Sequence, residues 1–268
     1  MAEVQFSGSI PEYYDRILVP GQFDAFAIDL ARRLPTRPAG DVLEIACGTG
    51  VMTRWLRERL DPAVKVVATD LSKAMLDYAH HKLRGESGIE WREADAGKLP
   101  FPDAAFGALA CAFGIMFFPD KKAALREARR VLRKGARFVF NVWDGLENNA
   151  HGRANAEVIE LLFPGDAEMQ WARVPYGFND AAAIRRLLEE AGFASFLFEQ
   201  VRLPVQCVSA REWATGQMRG TPRGALIEQR GKSLEEVIDK VAAVLARAGG
   251  DKPFKVDAQA LVVEATAA

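Results

Sequence analysis

The stretch from Asp41 to Val142 limits most what this chain can become, because short apolar runs alternate there with patterns of helical spacing. Parallel strands must be joined by crossovers, and helices are the usual ones, so such alternation predicts a parallel sheet covered by helices. The first strand is Asp41-Val42-Leu43-Glu44-Ile45-Ala46 and ends at Cys47-Gly48-Thr49-Gly50; beyond it Met52, Trp55, Leu56 and Leu60 recur at helical spacing. Residues 65–69 make a β-branched second strand closing on Asp70, with Ser72 placed to cap a helix carrying Met75, Tyr78 and Ala79. A third strand over 89–93 leads into Ala94-Asp95-Ala96, a buried fourth spans 106–112, and a helix over 121–132 connects it to a fifth at 137–142.

Past Trp143 a polar turn precedes a helix predicted over 155–163, and Asn179 or Asp180 caps another that stops at Gly192. Residues 193–203 are a strand candidate. Over 204–256 the pairs Ser209 with Glu212 and Ser233 with Glu236 match the capping box that opens helices, which predicts a helical insertion. Ala260-Leu261-Val262-Val263 returns as a last, antiparallel strand. The 268 residues are therefore expected to form a single α/β domain, extended by an N-terminal helical segment over 1–36 and by the insertion.

Charge and cysteine content narrow the function. With 35 Lys plus Arg against 36 Asp plus Glu the net charge is −1, which excludes a strongly basic nucleic-acid binder as the identity of the whole chain. Three cysteines, Cys47, Cys111 and Cys207, form no close pair and argue against a disulfide framework or a zinc knuckle. No set of His, Asp and Glu has metal-ligand spacing. The charge-free stretch between Asp103 and Asp120 is too short for a bilayer span, and residues 1–10 lack a positive cluster feeding an apolar run, so a cytoplasmic location is expected.

The sharpest chemical signal is the turn Glu44-Ile45-Ala46-Cys47-Gly48-Thr49-Gly50, a strand running into glycines at a helix start, where a ligand can approach bare backbone N–H groups. Asp70, at the end of the next strand, is placed to accept two hydrogen bonds from the vicinal hydroxyls of a ribose. Dinucleotide-binding turns share both features but want G-x-G-x-x-G, and the third glycine position here holds Thr53, which counts against a nicotinamide-linked oxidoreductase.

The segment from Val42 to Gly50, together with Asp70, Asp95-Ala96, Leu99-Pro100-Phe101, Phe117-Phe118-Pro119-Asp120, Glu127 with Arg130-Val131-Leu132, and Ala191-Gly192-Phe193, resembles class I S-adenosylmethionine-dependent methyltransferases of type 11, the ubiquinone and menaquinone biosynthesis group. The resemblance covers roughly residues 40–200. It implies a Rossmann-like, seven-stranded sheet, mostly parallel with an antiparallel last strand and helices on both faces. It also implies S-adenosylmethionine as cofactor, with S-adenosylhomocysteine as product. On that resemblance Glu44, Ala46, Gly48 and Gly50 would meet the methionine part, Asp70 the ribose, Leu71 and Met75 the adenine ring, and Asp95 and Ala96 its polar edge. Cys111 would lie where backbone contacts the cofactor, and Tyr14 would reach it from an N-terminal helix. Met75 serves equally as core, and Asp95 as a loop cap.

The acceptor is less legible. Many relatives carry glutamines after the fourth-strand cysteine, whereas this chain has Ala112 and Phe113, and Phe113 is the candidate to face substrate. His80 and His81 fall on a solvated helix face. His151, expected in the loop after the fifth strand, is the candidate general base. The basic segment 121–137 lacks interleaved aromatics and fits a solvated helix better than an RNA surface. With 16 Phe and 5 Trp, a small, largely apolar metabolite methylated at oxygen, carbon or nitrogen is expected, residues 204–256 forming a possible lid. The alternative is a module that binds S-adenosylmethionine or its product without transfer. No heptad or apolar stripe announces an oligomer interface.

Overall fold

The computed structural model describes residues 8–268. Its seven strands are β1 (Val42–Ile45), β2 (Val66–Asp70), β3 (Ile89–Glu93), β4 (Phe106–Ala112), β5 (Leu132–Trp143), β6 (Phe193–Cys207) and β7 (Phe254–Ala267). They form one sheet in the order β3-β2-β1-β4-β5-β7-β6. β1 to β5 pair in parallel, and β7 runs antiparallel to β5 with Phe140 opposite Val263, as the sequence predicts. All four residues of β1 are buried, because a central parallel strand is covered on both faces. Gly107 on β4 is dictated by close approach: a Cβ there would lie 2.7 Å from the carbonyl carbon of Ala39 and from the Gly40 nitrogen.

The chain divides into two compact units. The sheet unit comprises Phe26–Trp143, Phe178–Val201 and Ala260–Ala268. Its helices Val51–Arg59, Lys73–Lys82, Lys121–Val131 and Ala181–Ala191 start close to the predicted positions. Ser72, Asp120 and Asp180 cap three of them by accepting backbone N–H groups from the first turn.

The helical unit gathers the described residues up to Ala25 with Asp144–Gly177 and Arg202–Gln259. Ser209 and Ser233 cap helices Ala210–Arg219 and Leu234–Gly249 as the capping boxes require. A third helix, Arg223–Gln229, escaped the sequence because Pro222 precedes it in place of a capping side chain. Residues Tyr14–Phe23 form a π-helix with Pro20 inside, a local winding that hydrophobic periodicity does not encode. The helix expected over 155–163 begins earlier, spanning Ala150–Leu162. Asn149 stitches this unit: its Nδ2 donates to the carbonyls of Asp144, Gly145 and Gln259, and its Oδ1 accepts from the Gln259 N–H at 3.0 Å. Among the described residues no helix is long and apolar enough to cross a membrane.

Candidate functional site

The strand order reverses between β1 and β4, and in an open α/β sheet the crevice beyond the carboxyl ends of the strands at such a switch point is where ligands bind. Both strands end there in strained turns. Ala46, just past β1, holds φ at +56°, and Phe113, just past β4, holds φ at +52°, a region that side-chain-bearing residues rarely adopt. The two turns touch: a Cβ on Gly114 would come within 2.5 Å of the Ala46 methyl and 2.7 Å of the Cys111 sulfur. Gly48 has φ of +55° and its missing side chain faces open space, so the turn leaves room over bare backbone.

Two carboxyl groups stand under this turn with different tasks. Glu44, 1% exposed on β1, accepts from the Thr53 hydroxyl at 2.6 Å. Burial raises its pKa to about 8, with the Thr53 hydrogen bond opposing and the charge of Asp70 adding to the rise. Asp70, half-buried at the end of β2, accepts from the Gly48 N–H at 2.8 Å and from the Ser72 N–H at 2.8 Å. Burial pushes its pKa up while these backbone donors pull it back. Asp70 therefore ties the glycine turn to the next loop, and a carboxylate, with about four lone-pair sites, retains capacity for further donors.

Around them the other predicted residues fall as follows. Cys47 and Cys111 are buried thiols, and burial raises Cys111 to about 12, which makes it inert as a nucleophile. Leu71 is 56% exposed just past β2, whereas Met75 is buried, with its N–H donating to the Ser72 hydroxyl. Asp95 is exposed and its Oδ1 accepts from the Gly97 N–H at 2.8 Å, a loop-capping bond that leaves Ala96 buried beside it. Glu127 and Arg130 clamp the next loop: the Leu99 N–H donates to Glu127, and Arg130 donates to the carbonyls of Leu99 and Phe101.

Two polar residues here were missed by the sequence reading. Asn141 on β5 is fully buried, accepts from the Phe113 N–H at 2.9 Å and so holds the strained turn, while its Nδ2 has no hydrogen-bond partner among the described residues. The signal was available as a lone amide inside Phe138-Val139-Phe140-Asn141-Val142-Trp143. The Thr49 hydroxyl, buried in the glycine turn itself, is likewise without a partner among the described residues. Open space above Gly48, unspent polar atoms at Thr49 and Asn141, and an anchored carboxylate at Asp70 fit a ligand rich in hydrogen-bonding groups such as S-adenosylmethionine. Phe113 stacks on Trp143 with ring centroids 4.1 Å apart and meets Phe26 edge-on at 5.3 Å, forming an aromatic wall beside the turn.

Tyr14 belongs to the helical unit, where it stacks on Phe23 at 5.1 Å. His151 corrects its predicted place: it sits in helix Ala150–Leu162, not in a loop, and is 1% exposed. Its Nε2 lies 3.1 Å from the Tyr176 hydroxyl, and burial, with the nearby charge of Arg223, pushes its pKa down to about 3. A ring that gives up its proton so readily is a weak general base at neutral pH. Among the described residues no group of three or more His, Cys, Asp or Glu is placed to hold a metal ion.

Comparison with known proteins bears on the family and the fold. Residues 43–140 match the family model described as a methyltransferase domain, type 11. The ubiquinone/menaquinone biosynthesis C-methyltransferase UbiE of Hahella chejuensis is 40% identical over 106 residues, covering 38% of this chain and 43% of the relative. UbiE of Ectopseudomonas mendocina is 38% identical over 182 residues, 66% of this chain and 63% of the relative. The chain thus spans less than two thirds of the length of these curated relatives. Among solved structures, phosphoethanolamine N-methyltransferase 2 of Haemonchus contortus, in complex with S-adenosyl-L-methionine, superposes with a TM-score of 0.61 at 15% identity, over 96% of this chain and 56% of that one, a likeness of fold.

Proposed function

Since residues 43–140 match a methyltransferase-domain family model, we propose that this chain is a class I S-adenosylmethionine-dependent methyltransferase of type 11 and transfers a methyl group from S-adenosylmethionine to a small, largely apolar metabolite. The observation that carries the proposal is the turn Ala46–Gly50: open backbone at Gly48, held from below by Asp70, at the switch point of the sheet. Bound there, the cofactor supplies a methyl group already activated on a sulfonium.

The protein's own part is then to hold, orient and exclude water. In this reading Asp70 accepts from the ribose hydroxyls, and Ala46, Gly48, Gly50 and the Cys111 backbone line the methionine part. Glu44 orients the turn through Thr53. Leu71 and Met75 flank the adenine, with Asp95 and the Ala96 N–H at its polar edge. Phe113 and Trp143 offer an apolar wall to the acceptor. No general base is assigned, because only a weakly acidic acceptor needs one. The names of the curated relatives make a quinone-ring carbon the first acceptor to try.

The test is calorimetric titration with S-adenosylmethionine followed by incubation with a labelled methyl donor and a metabolite extract. Micromolar binding and a labelled product are expected. Absence of binding overturns the proposal, and binding without transfer leaves only a cofactor-holding module.

A further inference from the structure

The two turns that meet at the switch point each contain a residue in a conformation that side-chain-bearing residues rarely adopt, so their surroundings must impose it. For the turn after β1, part of the restraint comes from β2 and its end: Asp70 accepts the Gly48 N–H, and the Cys47 N–H donates to the Thr69 carbonyl at 2.9 Å. The turn after β4 is held from the other side, by β5. Asn141 pairs with Ala112 on β4 and with Val262 on β7, in the interior of the sheet. Its side chain and that of Trp143, two residues on, leave β5 on the same face. Both close on Phe113: the amide oxygen takes the backbone N–H at 2.9 Å, and the indole stacks on the ring at 4.1 Å. Phe26 meets Phe113 and Trp143 edge-on, at 5.3 and 5.4 Å. One short piece of strand thus fixes Phe113 at both its backbone and its ring.

An amide is a costly occupant of this position. Asn141 is fully buried, and only its oxygen recovers a hydrogen bond among the described residues. Its neighbours Phe138-Val139-Phe140 and Val142-Trp143 are apolar, and an apolar side chain here would strand no polar atom of its own. What only an acceptor supplies is the bond to the Phe113 N–H. The next residue, Gly114, is where the two turns touch, since a Cβ there would come within 2.5 Å of the Ala46 methyl. Gly114 holds φ at −94°, open to any residue, so the contact with Ala46 requires the glycine and the backbone conformation does not. Asn141, Phe113, Gly114 and Ala46 therefore form one unbroken series of contacts inside the sheet unit.

We propose that Asn141 is a positioning residue for the cofactor: by locking Phe113 it seats Gly114 against Ala46, and so preorganises the glycine turn before S-adenosylmethionine binds. The inference rests on the reading that the cofactor lies on that turn. A turn already held in its binding conformation needs no ordering by the ligand, so the lock raises affinity without touching the bound molecule. Direct donation from Nδ2 to the cofactor is the competing assignment, and it needs the amide nitrogen where the lock needs the oxygen.

Two variants separate these roles. N141L removes both amide atoms at similar volume, whereas N141D keeps an oxygen for the Phe113 N–H in either protonation state and removes the nitrogen. By calorimetry N141L should bind S-adenosylmethionine roughly tenfold more weakly than the unaltered chain, and N141D should stay within about threefold of it. A purely structural role would lower the melting temperature of N141L and leave the affinity of its folded fraction unchanged. In the ligand-free protein, hydrogen exchange followed by NMR should show the Phe113 and Cys47 amides of N141L exchanging roughly tenfold faster, with the Val42 amide at the far end of β1 unchanged. Should N141L fail to fold, G114A tests the series from its other end: its methyl displaces Ala46, and S-adenosylmethionine should bind roughly tenfold more weakly while the Phe113 amide stays protected. Undiminished affinity in N141L or in G114A, N141D binding as weakly as N141L, or a Cys47 amide undisturbed while that of Phe113 is released overturns the proposal. Failure of the unaltered chain to bind S-adenosylmethionine overturns the functional reading instead, and the exchange of Cys47 decides the lock separately.

Discussion

Asp70 carries more than one duty at a single carboxylate. It accepts the Gly48 and Ser72 N–H groups, which fixes the turn. In the proposed complex it also accepts from ribose. Asp70→Ala should weaken S-adenosylmethionine binding by about 1–3 kcal/mol, read by calorimetry, and an unchanged affinity would place the ribose elsewhere. Glu44 offers a sharper test because its pKa, raised to about 8, leaves an imprint on stability. Between its ordinary value and about 8 the folded protein holds a proton that the unfolded chain releases. The associated stability is full below the ordinary carboxylate range and is lost as pH rises through about 8. Melting curves should therefore show the wild type losing ground to Glu44→Gln from about pH 5 to about pH 8, and parallel curves would refute the shift.

At the scale of elements, close approach and buried stitching set the tolerances. Gly107→Ala forces a methyl against the backbone of Ala39 and Gly40, and denaturant titration should show a loss of about 1–3 kcal/mol. Asn149→Ala removes a side-chain donor from three carbonyls, two of which keep a backbone donor, and leaves the Gln259 N–H without its acceptor inside the helical unit, so it should cost about 1–3 kcal/mol by the same measurement. The strands and capped helices of the sheet unit were legible beforehand because each is written in local terms: apolar runs, a capping serine or aspartate, a terminal glycine. β4 falls on the residues predicted for it. What was illegible depends on tertiary context. The π-helix at Tyr14–Phe23, the uncapped helix after Pro222 and the burial of His151 have no local signature. In the candidate site the glycines and acids announced themselves through spacing, whereas Asn141 acts across strands and shows only as an amide out of place.

For the molecule as a whole, a charge of −1 provides no long-range pull on a polyanion, so bulk tRNA is expected to show no mobility shift with this protein even at low ionic strength. A shift reversed by salt would reinstate the basic segment over 121–137 as a nucleic-acid surface. The pairing of Thr53 with Glu44 reaches further than the local turn. Restoring the third glycine of a dinucleotide fingerprint takes a single substitution, Thr53→Gly. That change would delete the hydroxyl that bonds a carboxyl group sealed in the central strand, and the stranded acid would oppose folding before any new cofactor could bind. Exchange of one adenosine-bearing cofactor for another is therefore closed to this scaffold one step at a time: a lineage or a designer would have to replace Glu44 first, or both residues together.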